Sequence, residues 1–586
     1  MKKSLLLIAV LMLAVLTSCG AAGINSGHSQ NGGSVTDEII LPPLDGMEYE
    51  VVDFNSITYA RPSTDAVIEK TKELSFLLNS GDIDYDGVIE MISEIDALYS
   101  EFDTMLSLLM IRSSEDLTDE STSEEYEYLQ SRAPSVERAV DELLVELARS
   151  PFATRLEEEV FGEGFIEEYI DGSRFTDHIT ALLEEEAALE AEYLTLDSAS
   201  ATERGADIFI ELLKVRKQLA DAYGYESYSE YAYEALGHDY SAEDMSALCE
   251  DIASFALPIY TALSQRAFYG YFKTHRPPTV SRAEIVNDLY TVLSSLDEDI
   301  GLVYSYMLNG SLYSIEEPSD ERRPGAFTLY LSSAEVPFTF VTLDGTPDGY
   351  MILTHEFGHF YDDFTNYGSS ASLDLCEVSS QALELLALTR FKDTLSTEEY
   401  KYLYYMEMER ALQSLIIQAF YARFEALAYE LSYENITKEN LDRLVIRAAE
   451  EMHLNTKVFG DLSDAVIVHL IDTPFYVQSY CTSLIAALDI FFKECDAEGD
   501  GVAAYMALIN TEPSYGFKEA LTRAGVASPF DEDIVKRLAD EVHYSILGSH
   551  YYKISDNYQN AAQNDKSTQN LQILSAFIYK NVYFSI

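Results

Sequence analysis

The stretch that decides this fold is Thr354-His355-Glu356-Phe357-Gly358-His359, which places two histidines four positions apart. On an α-helix, residues four apart project from one face, so His355 and His359 can share one Zn²⁺ ion through their ring nitrogens. Glu356 follows the first histidine and is placed to take a proton from a zinc-bound water. The pattern therefore predicts a zinc-hydrolase site with one zinc ion per chain.

The residues around this motif predict a helix. We expect Thr346 to be its N-cap and Pro347 its first helical residue, where a missing N–H costs nothing. Residues 351–353 are apolar, and Tyr367-Gly368 is expected to end the helix. Histidines on a largely buried helix need hydrogen-bond or metal partners, and a metal ion meets that need best.

Two histidines leave the zinc ion short of a protein ligand. A metzincin would continue with glycine three residues and histidine six residues after His359, but Asp362 and Thr365 occupy those positions, which excludes that class. A glutamate from a second helix is the other common solution. Residues 372–386 read as a helix with Glu377 and Glu384 along one stripe, and periodicity alone does not choose between them.

These motifs resemble the thimet oligopeptidase and oligoendopeptidase F family of zinc peptidases. In that family, His-Glu-[Leu/Phe]-Gly-His is followed by a helix of the form Glu-x-x-Ser-x-x-x-Glu, which is similar to Glu377, Ser380 and Glu384 here. The first glutamate of the family motif is the third zinc ligand. The resemblance therefore implies that Glu377 binds zinc, while Ser380 and Glu384 support the ligands. Asp362 departs from the family, many members of which have a non-ligand histidine there.

The resemblance runs from about residue 225 to residue 542 and implies further site residues. Its His…Pro-Phe-Tyr…Tyr segment implies that His469 hydrogen-bonds the substrate or the oxyanion, and that a tyrosine hydroxyl stabilises the oxyanion. Thr473-Pro474 predicts the start of a helix, which would put Tyr476 and Tyr480 on one face, four residues apart. Of these two tyrosines we favour Tyr480 as the oxyanion donor.

Helical patterns dominate the chain, so we expect a mainly α fold. Residues 326–331 and 338–342 alternate with period two and predict a small antiparallel sheet beside the zinc-binding helix, with Pro337 at an edge or a strand start. Gly325 and Ala326 resemble the family's Gly-Ala strand, and an unpaired strand edge there would bind an extended peptide by main-chain hydrogen bonds. The resemblance also implies two helical lobes around a deep substrate channel.

The N-terminus predicts a secretion signal. Lys2 and Lys3 precede an apolar run, residues 5–16, that is too short to span a bilayer. Residues 16–19 resemble a bacterial lipoprotein processing box, which would make Cys19 the lipidated first residue of the mature chain. The alternative is an ordinary secretory signal that is cut elsewhere. We expect an extracytoplasmic protein that a lipid anchor holds to the cell membrane.

The remaining chain exceeds one ordinary hydrophobic core, so we expect more than one lobe. Helix patterns within it end at Gly224 and begin at Ser241, which has Asp244 three residues on. The predicted parts are a signal peptide (1–18), a flexible tether (19–40), a helical N-terminal lobe (41–240), a catalytic zinc peptidase region (241–542) and a C-terminal extension without an assigned role (543–586).

The chain is strongly acidic. Its 101 Asp and Glu residues outnumber its 38 Lys and Arg residues, for a formal net charge of −63. Nucleic acid is excluded as a partner, because phosphate binding needs clustered cations. The charge serves solubility outside the cell, and a preference for cationic peptides is the alternative reading.

The motif and the resemblance together predict a zinc-dependent endopeptidase whose substrates are short unstructured oligopeptides. Glu356 would accept a proton from the zinc-bound water and deliver it to the leaving amine. The alternative is a catalytically inactive peptide-binding lipoprotein on the same fold. The intact set of His355, Glu356, His359 and Glu377 argues against that alternative.

Overall fold

The computed structural model describes residues 38–552, except residues 163, 171–175, 195, 197–200, 370–371 and 513. Within this part the protein is mainly helical with one small sheet, so the predicted fold class is confirmed. The predictions for the signal peptide and Cys19, and for nearly all of the tether, fall outside the described residues. No helix of the described part combines the length and the apolar character that crossing a membrane requires.

Five helices near the N-terminus form a unit with its own hydrophobic core. The first three begin after side chains that accept a hydrogen bond from a backbone N–H of the first turn, namely Ser63, Asp84 and Asp119. The five helices are α1 (Thr64–Ser80), α2 (Tyr85–Glu115), α3 (Glu120–Ala148), α4 (Ala153–Leu156) and α5 (Phe165–Tyr169). A π-helical turn, Glu157–Phe161, follows α4.

The next eight helices pack into a second, larger core that they share with the rest of the chain. They are α6 (Asp177–Leu194), α7 (Ala201–Tyr223), α8 (Tyr228–Ala235), α9 (Ala242–Asp251), α10 (Leu257–Leu263), α11 (Tyr269–Thr274), α12 (Arg282–Leu296) and α13 (Glu298–Asn309). The helix end predicted at Gly224 and the start predicted at Ser241 are confirmed, and Ser241 and Asp244 form a capping box. The limits predicted for the domains stay predictions.

One small sheet follows these helices. Its strands are β1 (Tyr313–Glu316), β2 (Ala326–Leu331) and β3 (Val336–Thr342), in the order β1-β3-β2. β2 pairs antiparallel with β3 as predicted, but β1 runs parallel to β3, so the prediction of an antiparallel sheet is wrong. A four-residue strand is too short for alternation to reveal it. Pro337 lies opposite Tyr330 of β2 and beyond the end of β1. Its missing N–H therefore removes no hydrogen bond between the strands.

The remaining helices carry most of the predicted site. They are α14 (Asp348–Asn366), α15 (Leu373–Thr394), α16 (Thr397–Tyr429), α17 (Lys438–Glu451), α18 (Val468–Asp472), α19 (Val477–Asp496), α20 (Asp500–Ile509), α21 (Phe517–Ala524) and α22 (Ile534–Leu547). α14 and α15 pack side by side, and α15 also packs along α19. This arrangement brings the motif helix, the glutamate helix and the tyrosine helix together.

Two helix starts differ from their predictions. α14 begins at Asp348 with Pro347 as N-cap, one residue later than expected, because the Thr346 hydroxyl bonds Asp344 instead of capping the helix. α19 begins at Val477 rather than near Pro474, because Phe475 has a φ of 69°, which is incompatible with an α-helix.

Candidate metal centre

α14 presents His355 and His359 on one face. Their Nε2 atoms lie 3.2 Å apart, and both side chains are partly exposed, at 17% and 21%. The helix ends as predicted, with Tyr367 in a left-handed conformation as C-cap. Burial and the neighbouring His355 lower the pKa of His359, so its imidazole is neutral, which is the form that binds a metal ion.

Glu377, on α15, completes a set of three possible ligands. Its Oε2 lies 3.7 Å from Nε2 of His355, and its Oε1 lies 4.0 Å from Nε2 of His359. The three ligand atoms all lie within 4.8 Å of one another. Ligand bonds of about 2.0–2.2 Å in a tetrahedral site place ligand atoms roughly 3.3–3.6 Å apart. The donor set and its spacing therefore fit Zn²⁺.

Close contact between α14 and α15 makes this geometry possible. A Cβ atom added to Gly358 would lie 2.5 Å from Cα of Ser380 and 2.9 Å from the carbonyl oxygen of Ser379. Only glycine allows the two helices to approach this closely. The Ser380 hydroxyl hydrogen-bonds the Glu377 carbonyl at 3.1 Å and lies 3.4 Å from its Oε2, so Ser380 helps to orient the carboxylate.

Glu384 occupies a different place from Glu377. Its Oε1 lies 2.5 Å from Nδ1 of His355, on the side of the ring that faces away from Nε2. A carboxylate in this position fixes the histidine tautomer and leaves Nε2 free to bind a metal ion. Arg410 lies behind Glu384, at 3.4 Å from its Oε2, and also pairs with Asp348 at 2.5 Å. Glu377 therefore faces both imidazoles, whereas Glu384 contacts only His355, and Glu377 as the third ligand stays a prediction.

Glu356 lies beside the ligands and is 3% exposed. The Thr328 hydroxyl, on β2, donates a hydrogen bond to its Oε2 at 2.9 Å. Burial raises the pKa of Glu356 to about 7. A carboxyl group with a pKa near neutrality can both accept and release a proton, as a general base requires.

His469, Tyr476 and Tyr480 form a cluster next to Glu377. The Tyr476 hydroxyl donates a hydrogen bond to Oε1 of Glu377. The His469 ring centroid lies 5.3 Å from that of Tyr476 and 5.8 Å from that of Tyr480. His469 is fully buried, and neither of its ring nitrogens has a hydrogen-bond partner within the described part of the chain.

Gly325 and Ala326 lie at the start of β2, the strand that touches Glu356. Gly325 has a φ of 99°, and its carbonyl accepts a hydrogen bond from the Thr342 backbone N–H at 3.0 Å. Ala326 begins the pairing with β3. Ala326 is therefore the first residue of the strand that touches Glu356, and Gly325 directly precedes it, while substrate binding by these two residues stays a prediction.

Sequence reasoning missed three residues that shape the site: Thr328, Gly358 and Arg410. Thr328 stood in a predicted strand, but alternation does not say which helix residue a strand side chain meets. Gly358 belongs to the sequence motif, but the motif does not show that two helices pack at this residue. Arg410 lies within a long helix without a local signal of function.

Comparisons with known proteins identify the family of this chain. Residues 302–540 match peptidase family M3, and residues 54–168 match the peptidase M3 N-terminal domain, together more than half of the chain. An oligoendopeptidase F homolog of Borreliella burgdorferi is 23% identical over 250 residues, which are 40% of this chain. This match spans only 42% of the length of that relative.

Solved structures share the fold at low sequence identity. An oligoendopeptidase F of Bacillus anthracis str. Ames superposes with a TM-score of 0.71 and 21% identity, over 86% of this chain and 99% of that one. PZ peptidase A with an inhibitor gives a TM-score of 0.73 and 19% identity, over 85% and 99% of the two chains. The sequence matches, this shared fold and the ligand geometry lead to one conclusion: the chain belongs to peptidase family M3.

Proposed function

We propose that this protein is a zinc-dependent endopeptidase that hydrolyses short, unstructured oligopeptides. The observation that carries this proposal is the convergence of His355, His359 and Glu377 next to a buried Glu356. Membership of peptidase family M3 supports peptides as the substrates. Metal-dependent hydrolases use such a set of groups: two imidazoles and one carboxylate as ligands, and an adjacent base.

Glu356 acts as the general base in this proposal. Zinc, when bound, would supply a Lewis acid that polarises the peptide carbonyl and makes water acidic enough to attack at neutral pH. Glu356 takes the proton from the attacking water and passes it to the leaving amine. The Thr328 hydroxyl holds the carboxylate in place for both transfers.

The cluster of His469 and the two tyrosines would stabilise the negative charge that develops on the carbonyl oxygen. The Tyr476 hydroxyl bonds Glu377, so we assign the oxyanion contact to Tyr480, whose ring lies 4.9 Å from that of Tyr476. The buried imidazole of His469, which has no hydrogen-bond partner among the described residues, can donate to the substrate.

The edge of β2 would bind the substrate backbone. In an antiparallel pair, the N–H and C=O groups of alternate residues point toward the partner strand and away from it. Gly325 bonds Thr342 of β3, so the main-chain groups of Ala326, Thr328 and Tyr330 point away from β3. An extended peptide that pairs there runs past Glu356, because Thr328 touches that residue. Main-chain pairing of this kind accepts many side chains. The deep channel between two lobes stays a prediction.

Zinc removal and peptide mapping test the proposed function. The purified protein, stripped with a chelator, should lose cleavage of peptides blocked at both ends and regain it when about one equivalent of Zn²⁺ is added. Internal cuts in blocked peptides identify an endopeptidase, whereas release of terminal residues only from unblocked peptides would identify an exopeptidase. Peptide binding without any cleavage by the zinc-loaded protein would favour the inactive peptide-binding lipoprotein.

We further propose that the protein is extracytoplasmic and held to the membrane through lipid on Cys19. The support is the Leu16-Thr17-Ser18-Cys19 box and the tether after it. Cys19→Ala should release the protein into the soluble fraction with unchanged peptidase activity, because a lipid anchor needs this thiol. A Cys19→Ala protein that stays with membranes after a high-salt wash would overturn the anchor.

A further inference from the structure

Arg216 is a fully buried cation that lies far from the metal ligands in sequence. It belongs to α7, and its side chain has no exposed surface. Its Nε lies 2.5 Å from Oε1 of Glu186, and its Nη2 lies 3.0 Å from Oε1 of Glu190, both on α6. α6 and α7 fall between the two segments that match the peptidase family, residues 54–168 and 302–540. None of the proposed site residues lies on this helix pair.

The other side of the Arg216 guanidinium holds the end of α18. It donates hydrogen bonds to the carbonyl oxygen of Leu470, at 3.0 Å, and to that of Ile471. These two residues directly follow His469. α18 has only five residues and no side-chain cap at its N-terminus, so its own sequence holds it weakly. A buried cation at its last carbonyls satisfies groups that would otherwise have no partner.

A second path leads from Arg216 to Tyr476. Its Nη1 lies 3.3 Å from the hydroxyl of Tyr429, the last residue of α16. The Tyr429 ring packs against that of Phe475, with the centroids 5.1 Å apart. Phe475 has a φ of 69° and directly precedes Tyr476, so its packing affects where the Tyr476 hydroxyl lies. Arg216 thus contacts the start of the segment 469–476 directly and its end through the Tyr429 ring.

We propose that Arg216 is a positioning residue for the active site: its guanidinium fixes the segment 469–476, and through it His469 and Tyr476, against the metal centre. The planar fork of arginine allows one side chain to bond two carboxylates, two carbonyls and a phenol at once. A lysine keeps the charge but offers one small ammonium group, which cannot reach all these partners. The predicted effect on catalysis rests on the proposed peptidase function. The predicted effect on the order of the segment 469–476 does not.

Arg216→Lys is the test variant, because it leaves Glu186 and Glu190 with a positive partner and so favours folding. Arg204→Lys is the matched control, since Arg204 lies on the same helix and also pairs two carboxylates, Glu192 and Glu211, but at the surface. At saturating zinc, Arg216→Lys should lower kcat about 10²-fold with KM changed less than about threefold, and the control should match the wild type.

Hydrogen exchange tests the positioning itself. Backbone amides of residues 468–476 should exchange at least tenfold faster in Arg216→Lys than in the wild type, while those of residues 355–359 should not change. Equal exchange of segment 468–476 in both proteins would overturn the proposal. If the wild type cleaves no peptide, the proposed function fails, but this comparison still decides whether Arg216 holds the segment.

A double-mutant cycle separates positioning from general destabilisation. If Arg216 acts through His469, most of the effect of Arg216→Lys on kcat/KM should vanish when His469 is already replaced by alanine. A full, independent effect of Arg216→Lys in a protein that carries both His469→Ala and Tyr476→Phe would mean that Arg216 acts elsewhere, and the proposal would be wrong.

Discussion

The Tyr476 hydroxyl donates a hydrogen bond to Oε1 of Glu377, so a residue that the resemblance placed among the catalytic tyrosines contacts the third predicted zinc ligand. Burial raises the pKa of Glu377, which disfavours its charged form, and the phenol hydrogen bond opposes that shift. The hydrogen bond thus orients the carboxylate and favours its ionised form, which is the form that binds a metal ion. We therefore expect Tyr476 and Tyr480 to have separable roles.

The two tyrosines should respond differently to loss of the hydroxyl. Tyr476→Phe should weaken zinc binding about 10–100-fold, because Glu377 loses its hydrogen-bond donor. Tyr480→Phe should leave zinc affinity unchanged and lower kcat about 10²–10³-fold, because it removes an oxyanion contact. Chelator competition measures the affinity, and peptide cleavage at saturating zinc measures kcat. Weak zinc binding by Tyr480→Phe with normal binding by Tyr476→Phe would exchange the two roles.

The two glutamates of α15 should also differ. Glu377→Ala removes a ligand and should leave the purified protein nearly free of zinc. Glu384→Ala removes only the partner of His355 Nδ1, which typically costs about 10–100-fold in metal affinity. Metal analysis of both proteins at one free zinc concentration compares them. The ligand assignment is wrong if Glu384→Ala is the protein that comes out empty.

Gly358→Ala should push α14 and α15 apart. The new methyl group would lie 2.5 Å from Cα of Ser380, and we expect a loss of about 1–3 kcal/mol in the free energy of unfolding, together with weaker zinc binding. Gly270→Ala is the control, because nothing lies within 4 Å of the added atom and alanine favours helix. Urea unfolding of the zinc-free proteins measures the difference. A Gly358→Ala protein as stable as the control would contradict the close helix contact.

Asp103 should make stability depend on pH. It is buried on α2, accepts a hydrogen bond from Ser332 at 2.6 Å, and burial raises its pKa to about 6. A carboxyl group with a raised folded-state pKa contributes stability that is present below about pH 4 and is lost as the pH rises through 6. Asp103→Asn should therefore be more stable than the wild type at pH 8, by about 1–3 kcal/mol, and similar to it near pH 4.

Unfolding at several pH values checks this dependence on Asp103. Glu101→Gln, an exposed change two residues away on the same helix, should follow the wild type across the whole range. If Asp103→Asn is no more stable than the wild type at pH 8, the ionised carboxyl of Asp103 does not destabilise the folded protein as its burial indicates.

The parts of the site that local sequence encodes were predictable. The spacing of His355 and His359, the left-handed end near Tyr367 and the alternation of β2 are properties of a few neighbouring residues, and the structure agrees with each. The family resemblance added Glu377, which lies near both imidazoles. These features can be predicted without knowing which residues pack against them.

Features that depend on contacts between distant segments were not predictable. The parallel pairing of β1 brings Tyr313 opposite Thr339, and nothing in its four residues specifies that partner. By local rules, Thr473-Pro474 is a good helix start. Because Phe475 has a positive φ, α19 begins only at Val477. Arg216 contacts residues more than 200 positions away, and a single arginine in a helix gives no sign of such contacts.

The most direct test of the account is the pair of measurements, zinc content and peptide cleavage, on Glu356→Gln. Glutamine keeps the size of the side chain and can still accept the Thr328 hydrogen bond, but it cannot take a proton from water. We expect the variant to hold as much zinc as the wild type and to cleave blocked peptides about 10²–10⁴-fold more slowly. Cleavage at a near-normal rate by the zinc-loaded variant would contradict the central claim that Glu356 is the general base.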